Sequence, residues 1–363
     1  MNPDLVKPVV DDVAELTPEW LTAAFAASGH PATVVDVTSE QIGTGQIGTC
    51  HRLSLTYERG TGAAPPRPRS LVAKLAGGDR AARERVKDGF AKEVGFYTRL
   101  AGTVDVRVPR CWYGAISDDK TSFVLLLDDL APARPGVQAD GCTPAQASDC
   151  LENLAGLHAP RWNDEALLDI AFLTPTGASG AAFLGDILQE ATEQFVVRYA
   201  DDLSAGDVAT LRDVARSIAA GSLARPRPFA LVHGDFRPDN LMFPPEGGGA
   251  VALDWQTVSV AHPLRDVAYF LGTSLGEDER RAHEKDLVLR YHEALLRRGV
   301  RAYDFDTCFD DYRLGQLQGP MITVLGAIYA TAERSARADG MFLAMATRSC
   351  AAIRDLGSLD LLA

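Results

Sequence analysis

The segment His233-Gly234-Asp235-Phe236-Arg237-Pro238-Asp239-Asn240 carries a carboxylate, a cation and an amide in close succession, and Asp254 follows fourteen residues after Asn240. Those residue types at that spacing suit phosphoryl transfer. The reaction asks for a carboxylate that orients an acceptor hydroxyl, and for hard oxygen ligands that hold Mg²⁺ against phosphates. Asp235 fits the first task and Asn240 with Asp254 the second, in the Asp-x-x-x-x-Asn order of a catalytic loop followed by a metal-binding carboxylate. Arg237, two residues beyond Asp235, is placed to offset charge on a γ-phosphate. His233 reads as a buried histidine holding the loop, because the adjacent carboxylate already supplies the proton chemistry. The competing account of the same string is a turn capped by Asp235 through local hydrogen bonds. The spacing to Asp254 weighs against it.

A second motif, Gly43-Thr44-Gly45-Gln46-Ile47-Gly48, has the G-x-G-x-x-G form. A dinucleotide-binding loop would open a helix, and a Walker loop would end in Gly-Lys-Ser/Thr; here a strand-like run continues from Thr49. What remains is a strand-loop-strand cover in which Gly43, Gly45 and Gly48 let backbone N–H groups approach ATP phosphates. Lys74 in the strand-like LVAKLA and Glu93 on the next helix follow in the order expected of a phosphate-contacting lysine and its charge partner. Taken singly, Lys74 also reads as a polar residue of an edge strand and Glu93 as a solvated helix residue. The order of all four elements favours the catalytic reading.

The elements that must position these residues divide into two sets. Thr17-Pro18 starts a short helix that Gly29 ends. Val34 to Ser39, Arg52 to Tyr57, Leu71 to Leu75, Cys111 to Ile116 and Phe123 to Leu127 read as strands of a small antiparallel sheet, with one helix from Arg80 to Leu100. Beyond Leu130 helical periodicity takes over, over Pro144 to His158, Asp186 to Tyr199, Gly206 to Ala220, Glu277 to Arg298 and Tyr312 to Ala336. The pattern predicts an N-terminal nucleotide-binding lobe over residues 1–130. A C-terminal helical lobe over 131–363 would carry the catalytic loop, the metal site and the acceptor site.

Bulk properties narrow the function. With 363 residues and 46% hydrophobic content the chain can bury a large core. A formal net charge of -13 argues against nucleic acid as a partner, since phosphate backbones are bound through Lys and Arg. Six cysteines without a C-x-x-C pair suggest neither a zinc site nor a disulfide framework, and are expected to be reduced and mostly buried. No signal-like start or bilayer-length apolar run is evident, so a cytoplasmic protein with no membrane partner is expected.

HGDFRPDNLMF and LDWQTVSVAHPLRDVAYFLG resemble the catalytic loop and metal-binding segment of the aminoglycoside phosphotransferase and choline kinase-like superfamily. The resemblance covers about residues 40 to 275. It implies an α+β, two-lobed protein-kinase-like fold with ATP in the cleft and Mg²⁺ as cofactor, and a structural role for Asp266 in bracing the catalytic loop. It also implies that FVLLLDDL receives adenine through backbone groups at its end, involving Asp128, Asp129 and Leu130. Protein kinases usually carry Arg before the catalytic Asp and Gly two residues after the metal-binding one. The chain has Gly234 and Gln256, closer to the small-molecule branch. The D-W-Q string, the LLLDDL segment and FDDYRLGQL are similar to the ecdysteroid-kinase-like group and its bacterial relatives.

The expected function is therefore transfer of the ATP γ-phosphate to a hydroxyl of a small molecule, such as an aminoglycoside-like compound, a sterol, a hydroxyacyl-CoA or another hydroxylated metabolite. A protein kinase and a nucleotide-binding regulatory protein without turnover are the alternatives. The short stretch between Asp254 and Leu264 leaves little room for a protein kinase's activation segment, and no metal or base residue is missing as the regulatory reading would predict. Trp162 and Phe195 are candidates for an apolar acceptor pocket and Asp164, Glu165, Asp201 and Asp202 for an amine-bearing acceptor, but core packing or a solvated face is the better explanation of each, and none is assigned as a binding residue.

Overall fold

The computed structural model describes residues 7–43, 48–58, 67–173, 175–245, 247, 249–330 and 335–362. Gly45, with the rest of the glycine motif's centre, lies outside the described residues. The chain divides into two compact units: Met1–Gly102, Val108–Ala131 and Asp254–Thr257 in the first, and Thr103–Arg107, Pro132–Leu253 and Val258–Ala363 in the second.

The first unit is built on five antiparallel strands, β1 (Val34–Ile42), β2 (Gly48–Tyr57), β3 (Ser70–Ala76), β4 (Cys111–Ile116) and β5 (Phe123–Asp128), in the order β1-β2-β3-β5-β4. Helix α1 (Pro18–Ala27) starts where Thr17 accepts a hydrogen bond from Trp20 N and Pro18 takes a first-turn position, where its missing N–H costs nothing. It packs Trp20 and Phe25 against Leu53, Leu71, Ala73 and Leu126 of the sheet. Helix α2 (Arg80–Gly95) is capped by Asp79 and brings Phe90 to 4.8 Å from Phe123 of β5, ring centre to ring centre. The helix expected to run on to Leu100 instead widens into a π-helical turn over Phe96–Leu100. Phe96 there stacks on Trp255, the residue after Asp254. Extra-residue turns of this kind commonly mark places where a helix re-aims side chains.

The second unit is mainly helical. It opens with β6 (Arg134–Pro135) and contains α3 (Pro144–His158), α4 (Ala178–Arg198), α5 (Ala205–Leu223), β7 (Ala230–Val232), β8 (Leu241–Phe243), β9 (Val251–Ala252) and β10 (Ser259–Ala261). The helices α6 (Leu264–Ser274), α7 (Glu277–Arg297), α8 (Phe305–Gly315), α9 (Gln318–Leu325) and α10 (Ala336–Leu356) complete it. The short strands form two small sheets, β6-β8-β9 and β10-β7, on either side of the loop that carries Asp235 in sequence. Leu188, Phe195, Leu211, Val214, Met321 and Met345 belong to its core, so Phe195 is a packing residue.

The single helix expected over Tyr312 to Ala336 is corrected by the structure. Helix α8 stops at Gly315, where a Cβ would lie 2.6 Å from the Leu264 carbonyl, so only glycine lets α8 lie this close to α6. Pro320 sits in the first turn of α9, where no N–H is needed, and α9 ends in a π-helical turn over Gly326–Ala330. Helix α10, which periodicity did not single out, ends at Gly357 with a positive φ of 58°. The expectation of mostly buried cysteines also needs correction: Cys150, Cys308 and Cys350 are buried, while Cys50 on β2, Cys111 at the start of β4 and Cys142 in the loop before α3 are half-buried. Among the described residues no helix is long and apolar enough to cross a membrane.

Candidate active site

In the helical unit, β7 delivers the chain into the loop His233 to Asn240, and the first turns of α6 hold that loop from beneath. Asp266 accepts hydrogen bonds from His233 N at 2.6 Å and Gly234 N at 2.9 Å. The backbone at Gly234 has φ 85°, which glycine alone adopts without strain. His158 Nε2 lies 3.3 Å from the same carboxylate and its Nδ1 2.8 Å from the Tyr291 hydroxyl. Burial lowers the His158 pKa against the pull of Asp266, so the ring is held neutral. Burial raises the Asp266 carboxyl, but His158, His233 and the Gly234 N–H outweigh it and keep it below the usual range. His233 Nε2 reaches the Leu253 carbonyl at 2.8 Å, which fits its expected holding role.

One helical turn beyond Asp266, on the same face of α6, Tyr269 donates its hydroxyl to Asp235 Oδ1 at 2.7 Å. Asn240 Nδ2 donates to Asp235 Oδ2 at 2.9 Å and to the Asp235 carbonyl at 2.8 Å. Arg237 Nε stands 3.3 Å from Asp235 Oδ2, while its Nη1 binds Asp239 at 2.7 Å. Asp235 is thus gripped from three sides and is still 24% exposed, so one face of the carboxylate is open to a reacting hydroxyl. Asn240 spends its amide N–H group on Asp235. Its amide oxygen makes no hydrogen bond among the described residues, which suits an oxygen ligand for a hard cation.

In the sheet unit, Lys74 on β3 pairs with Glu93 on α2 at 2.6 Å. Lys74 Nζ also lies 3.5 Å from Asp254 Oδ1. Burial opposes charge on the lysine, but Asp254 and Glu93 outweigh it and raise its pKa, so the ammonium is retained. Burial raises the Glu93 carboxyl against the attraction of Lys74. Gln256 Nε2 donates to the second Glu93 oxygen at 3.2 Å, which gives this residue, noted in sequence only as a departure, a holding role. Gly48 lies over the lysine: a Cβ there would meet Lys74 Cε at 3.2 Å. Gly43 has φ 70° and open space around it, so its glycine serves backbone conformation.

Asp254 is the strained member. Its φ of 60° lies in the left-handed region that Asp tolerates better than most residues. Among the described residues its Oδ1 is buried without a hydrogen-bond partner, although the side chain as a whole is 44% exposed. A buried carboxylate oxygen lacking a donor is costly unless a cation completes it. That oxygen, whose nearest cation is Lys74 Nζ at 3.5 Å, and in the helical unit the amide oxygen of Asn240 are each the kind of hard donor Mg²⁺ takes, the ion using only one or two protein oxygens and completing its shell with phosphates and water. Among the described residues no cluster of three or more His, Cys, Asp or Glu forms a metal cage.

At the end of β5, the side chains of Asp128 and Asp129 are structurally engaged. Asp128 accepts from Trp112 Nε1 at 2.6 Å, and Asp129 binds Arg52 at 2.7 Å and Ser70 at 2.6 Å. Leu130 is half-buried. Of the acceptor candidates, Trp162 packs on Tyr303, Asp164 caps a short 3-10 turn and pairs with Arg161, and Glu165 pairs with Arg227. Sequence reasoning missed Tyr269 and Gln318. The i, i+3 spacing of Asp266 and Tyr269 was the available signal for the first; the second has none, because Gln318 reaches the Gly234 carbonyl from 84 residues away.

A five-stranded sheet unit with a Lys–Glu pair, and a helical unit with an Asp/Asn loop braced from a following helix, define a kinase-like α+β fold. A family model described as a phosphotransferase enzyme family matches residues 52–306, and the chain belongs to that family of enzymes. Solved structures share the fold at low identity. Choline kinase from Cryptosporidium parvum is 8% identical over 89% of each chain, with a TM-score of 0.53. An ethanolamine kinase from Plasmodium vivax is 11% identical over 96% of this chain and 91% of that one, with a TM-score of 0.52. The GDP complex of wild-type aminoglycoside 2'-phosphotransferase-IIIa is 16% identical over 92% and 98%, with a TM-score of 0.53. Among curated proteins, acyl-CoA dehydrogenase family member 11 of Gallus gallus is 38% identical over 64 residues, 17% of this chain and 8% of that protein. Its human counterpart is 49% identical over 41 residues, 11% and 5%. The matched segment thus spans less than a tenth of either relative.

Proposed function

We propose that this enzyme transfers the γ-phosphate of ATP to a hydroxyl group of a small molecule. The observation that carries the reading is the Asp235 carboxylate, held by Tyr269, Asn240 and Arg237 on a loop braced by Asp266, with one face left open. Such a carboxylate orients an incoming hydroxyl and accepts its proton as the oxygen attacks phosphorus in line. Lys74, kept charged by Glu93 and Asp254, supplies a fixed cation for the α/β-phosphates, and Arg237 one for the transferring group. Asn240 and Asp254 would hold Mg²⁺, which when bound neutralises charge on the phosphate oxygens.

The acceptor is proposed from a short set. Solved structures similar in fold include a choline kinase, an ethanolamine kinase and an aminoglycoside phosphotransferase, and curated relatives carry an acyl-CoA dehydrogenase name. We favour a hydroxylated acyl thioester, with aminoglycosides, amino alcohols and sterols as the classes to test against it. A protein acceptor is disfavoured: the stretch from Asp254 to the start of α6 is short and is partly taken up by β10. The test is ADP release with Mg-ATP or Mg-GTP and each acceptor class, compared with Asp235→Asn. Turnover of a hydroxyacyl-CoA alone supports the favoured acceptor, and turnover of another class replaces it. Nucleotide binding with no turnover of any acceptor would overturn the kinase reading.

A further inference from the structure

A pocket of about 530 Å³ opens within the helical unit, lined by the end of α5, the chain after it, β10, the start of α6 and the α8–α9 junction. None of Asp235, Arg237, Asn240, Lys74 or Asp254 lines it. The size is that of a small-ligand site. Its walls are largely apolar, with Phe229, Val260, Leu314 and Leu317 inside. Leu168 and Leu223, 42% and 44% exposed, also line it.

The charges on these walls do not cancel. Arg225 is paired with the buried Asp311 at 2.8 Å, and Arg227 is paired with Glu165. The Asp311 carboxylate also accepts from the Tyr303 hydroxyl at 2.8 Å, and His262 Nε2 lies 3.1 Å from it without a hydrogen bond among the described residues. Arg265 has no carboxylate within ion-pair distance among the described residues. Its Nε and Nη2 both donate to the single amide oxygen of Gln318, at 2.9 and 2.6 Å, and its Nη1 makes no hydrogen bond there. Burial depresses this guanidinium against the pull of Asp266, as expected for a cation short of a counter-charge. Three arginines against two carboxylates leave one positive charge beside an apolar cavity.

We propose that this pocket is a binding site for an amphiphilic monoanion, a carboxylate on an apolar chain, with the carboxylate on Arg265 and the chain between Phe229 and the exposed leucines. A planar guanidinium fork pairs a carboxylate with two parallel hydrogen bonds, and the single uncompensated charge selects a monoanion over a phosphate dianion. The site touches the catalytic loop through one residue: Gln318, which holds Arg265, donates Nε2 to the Gly234 carbonyl at 3.3 Å, directly before Asp235. Its ligand is therefore placed to be sensed by the loop without occupying it.

Calorimetric titration of the intact protein with octanoate tests this, with octanol, acetate and octyl phosphate as comparison probes. Octanoate is expected to bind, with octanol and acetate each weaker by about tenfold or more, because each lacks one half of the recognition. Arg265→Gln should weaken octanoate by about tenfold or more. Leu223→Glu, at an exposed position where the fold is not at stake, should do the same by repulsion, while Asp235→Asn should leave the affinity unchanged. The readout needs no turnover, so it stands apart from the kinase reading. Octanoate that fails to bind, binds equally to Arg265→Gln, binds less well than octyl phosphate or loses affinity in Asp235→Asn would overturn the assignment.

Discussion

Asp235 and Asp254 are both loop carboxylates beside a long cation, yet their surroundings differ in kind. Asp235 sits in a finished network: each oxygen has a donor, the loop backbone is tied to Asp266, Asp266 to His158, and His158 in turn to Tyr291. Asp254 sits in an unfinished one, with a left-handed backbone, a buried oxygen lacking a hydrogen bond, and Lys74 shared with Glu93. A group that must hold a hydroxyl at a fixed angle gains from being complete before the substrate arrives. One that receives a charged ligand gains from being incomplete, because the ligand then relieves a cost the protein already carries. On the proposed reading, the helical unit is pre-organised for chemistry and the sheet unit is poised for nucleotide.

The sharpest way to break this comparison is at its finished end. Asp235→Asn keeps the size of the side chain and an oxygen for Tyr269 but removes the proton acceptor. It should lower kcat by about 10²- to 10⁴-fold with nucleotide affinity and thermal stability unchanged. A mutant that loses nucleotide affinity instead would mean that Asp235 belongs to binding. At the unfinished end the split should invert. Asp254→Asn is tolerated at a positive φ, so the fold should persist while the Mg²⁺-dependent part of ATP affinity falls by about tenfold or more, read by titration with and without the metal. Equal ATP affinity in the mutant, at saturating Mg²⁺, would show that Asp254 holds no metal.

Much of this contrast was legible in sequence, and the legible part has a common cause. The Asp235–Asn240 spacing, Lys74 on its strand and Glu93 on its helix are local patterns, set by strand alternation and helical turns. What stayed hidden depends on partners far along the chain. Gln256 on Glu93 and Gln318 on Gly234 join residues 163 and 84 positions apart, which no periodicity encodes. The split of α8 and α9 was missed because an apolar run conceals a close helix approach, whose only written trace is Gly315 followed by Gly319-Pro320. The left-handed φ of Asp254 had no trace at all, since an Asp ending an apolar strand reads as ordinary extended chain.

A smaller effect probes what the finished network costs to break. Asp266→Asn puts an amide N–H group against three donors and should destabilise the protein by about 3 kcal/mol in urea unfolding, since buried N–H groups of His233 and Gly234 lose a charged acceptor. The same substitution at Asp254, half exposed and already short of donors, should cost far less. Comparable losses at the two sites would erase the distinction between them.

The smallest effect is a pH dependence confined to the finished side. Burial lowers the His158 pKa from its ordinary 6.5, so the native state takes up a proton less readily than the unfolded chain. A depressed folded value means that the contribution to stability is fully present above about 6.5 and is lost as pH falls from there through the folded value. Asp266, also depressed in the fold, adds stability that is lost only below its ordinary 3.8, so the two windows are separate. Unfolding followed from pH 7.5 to pH 5 should therefore show a decline that His158→Gln reduces, since glutamine can still donate to Asp266 but takes up no proton. Parallel pH profiles for wild type and mutant would show that the ring carries no such penalty. The network around Asp235 would then be held together by its hydrogen bonds alone, without the neutral imidazole that now anchors Asp266 from behind.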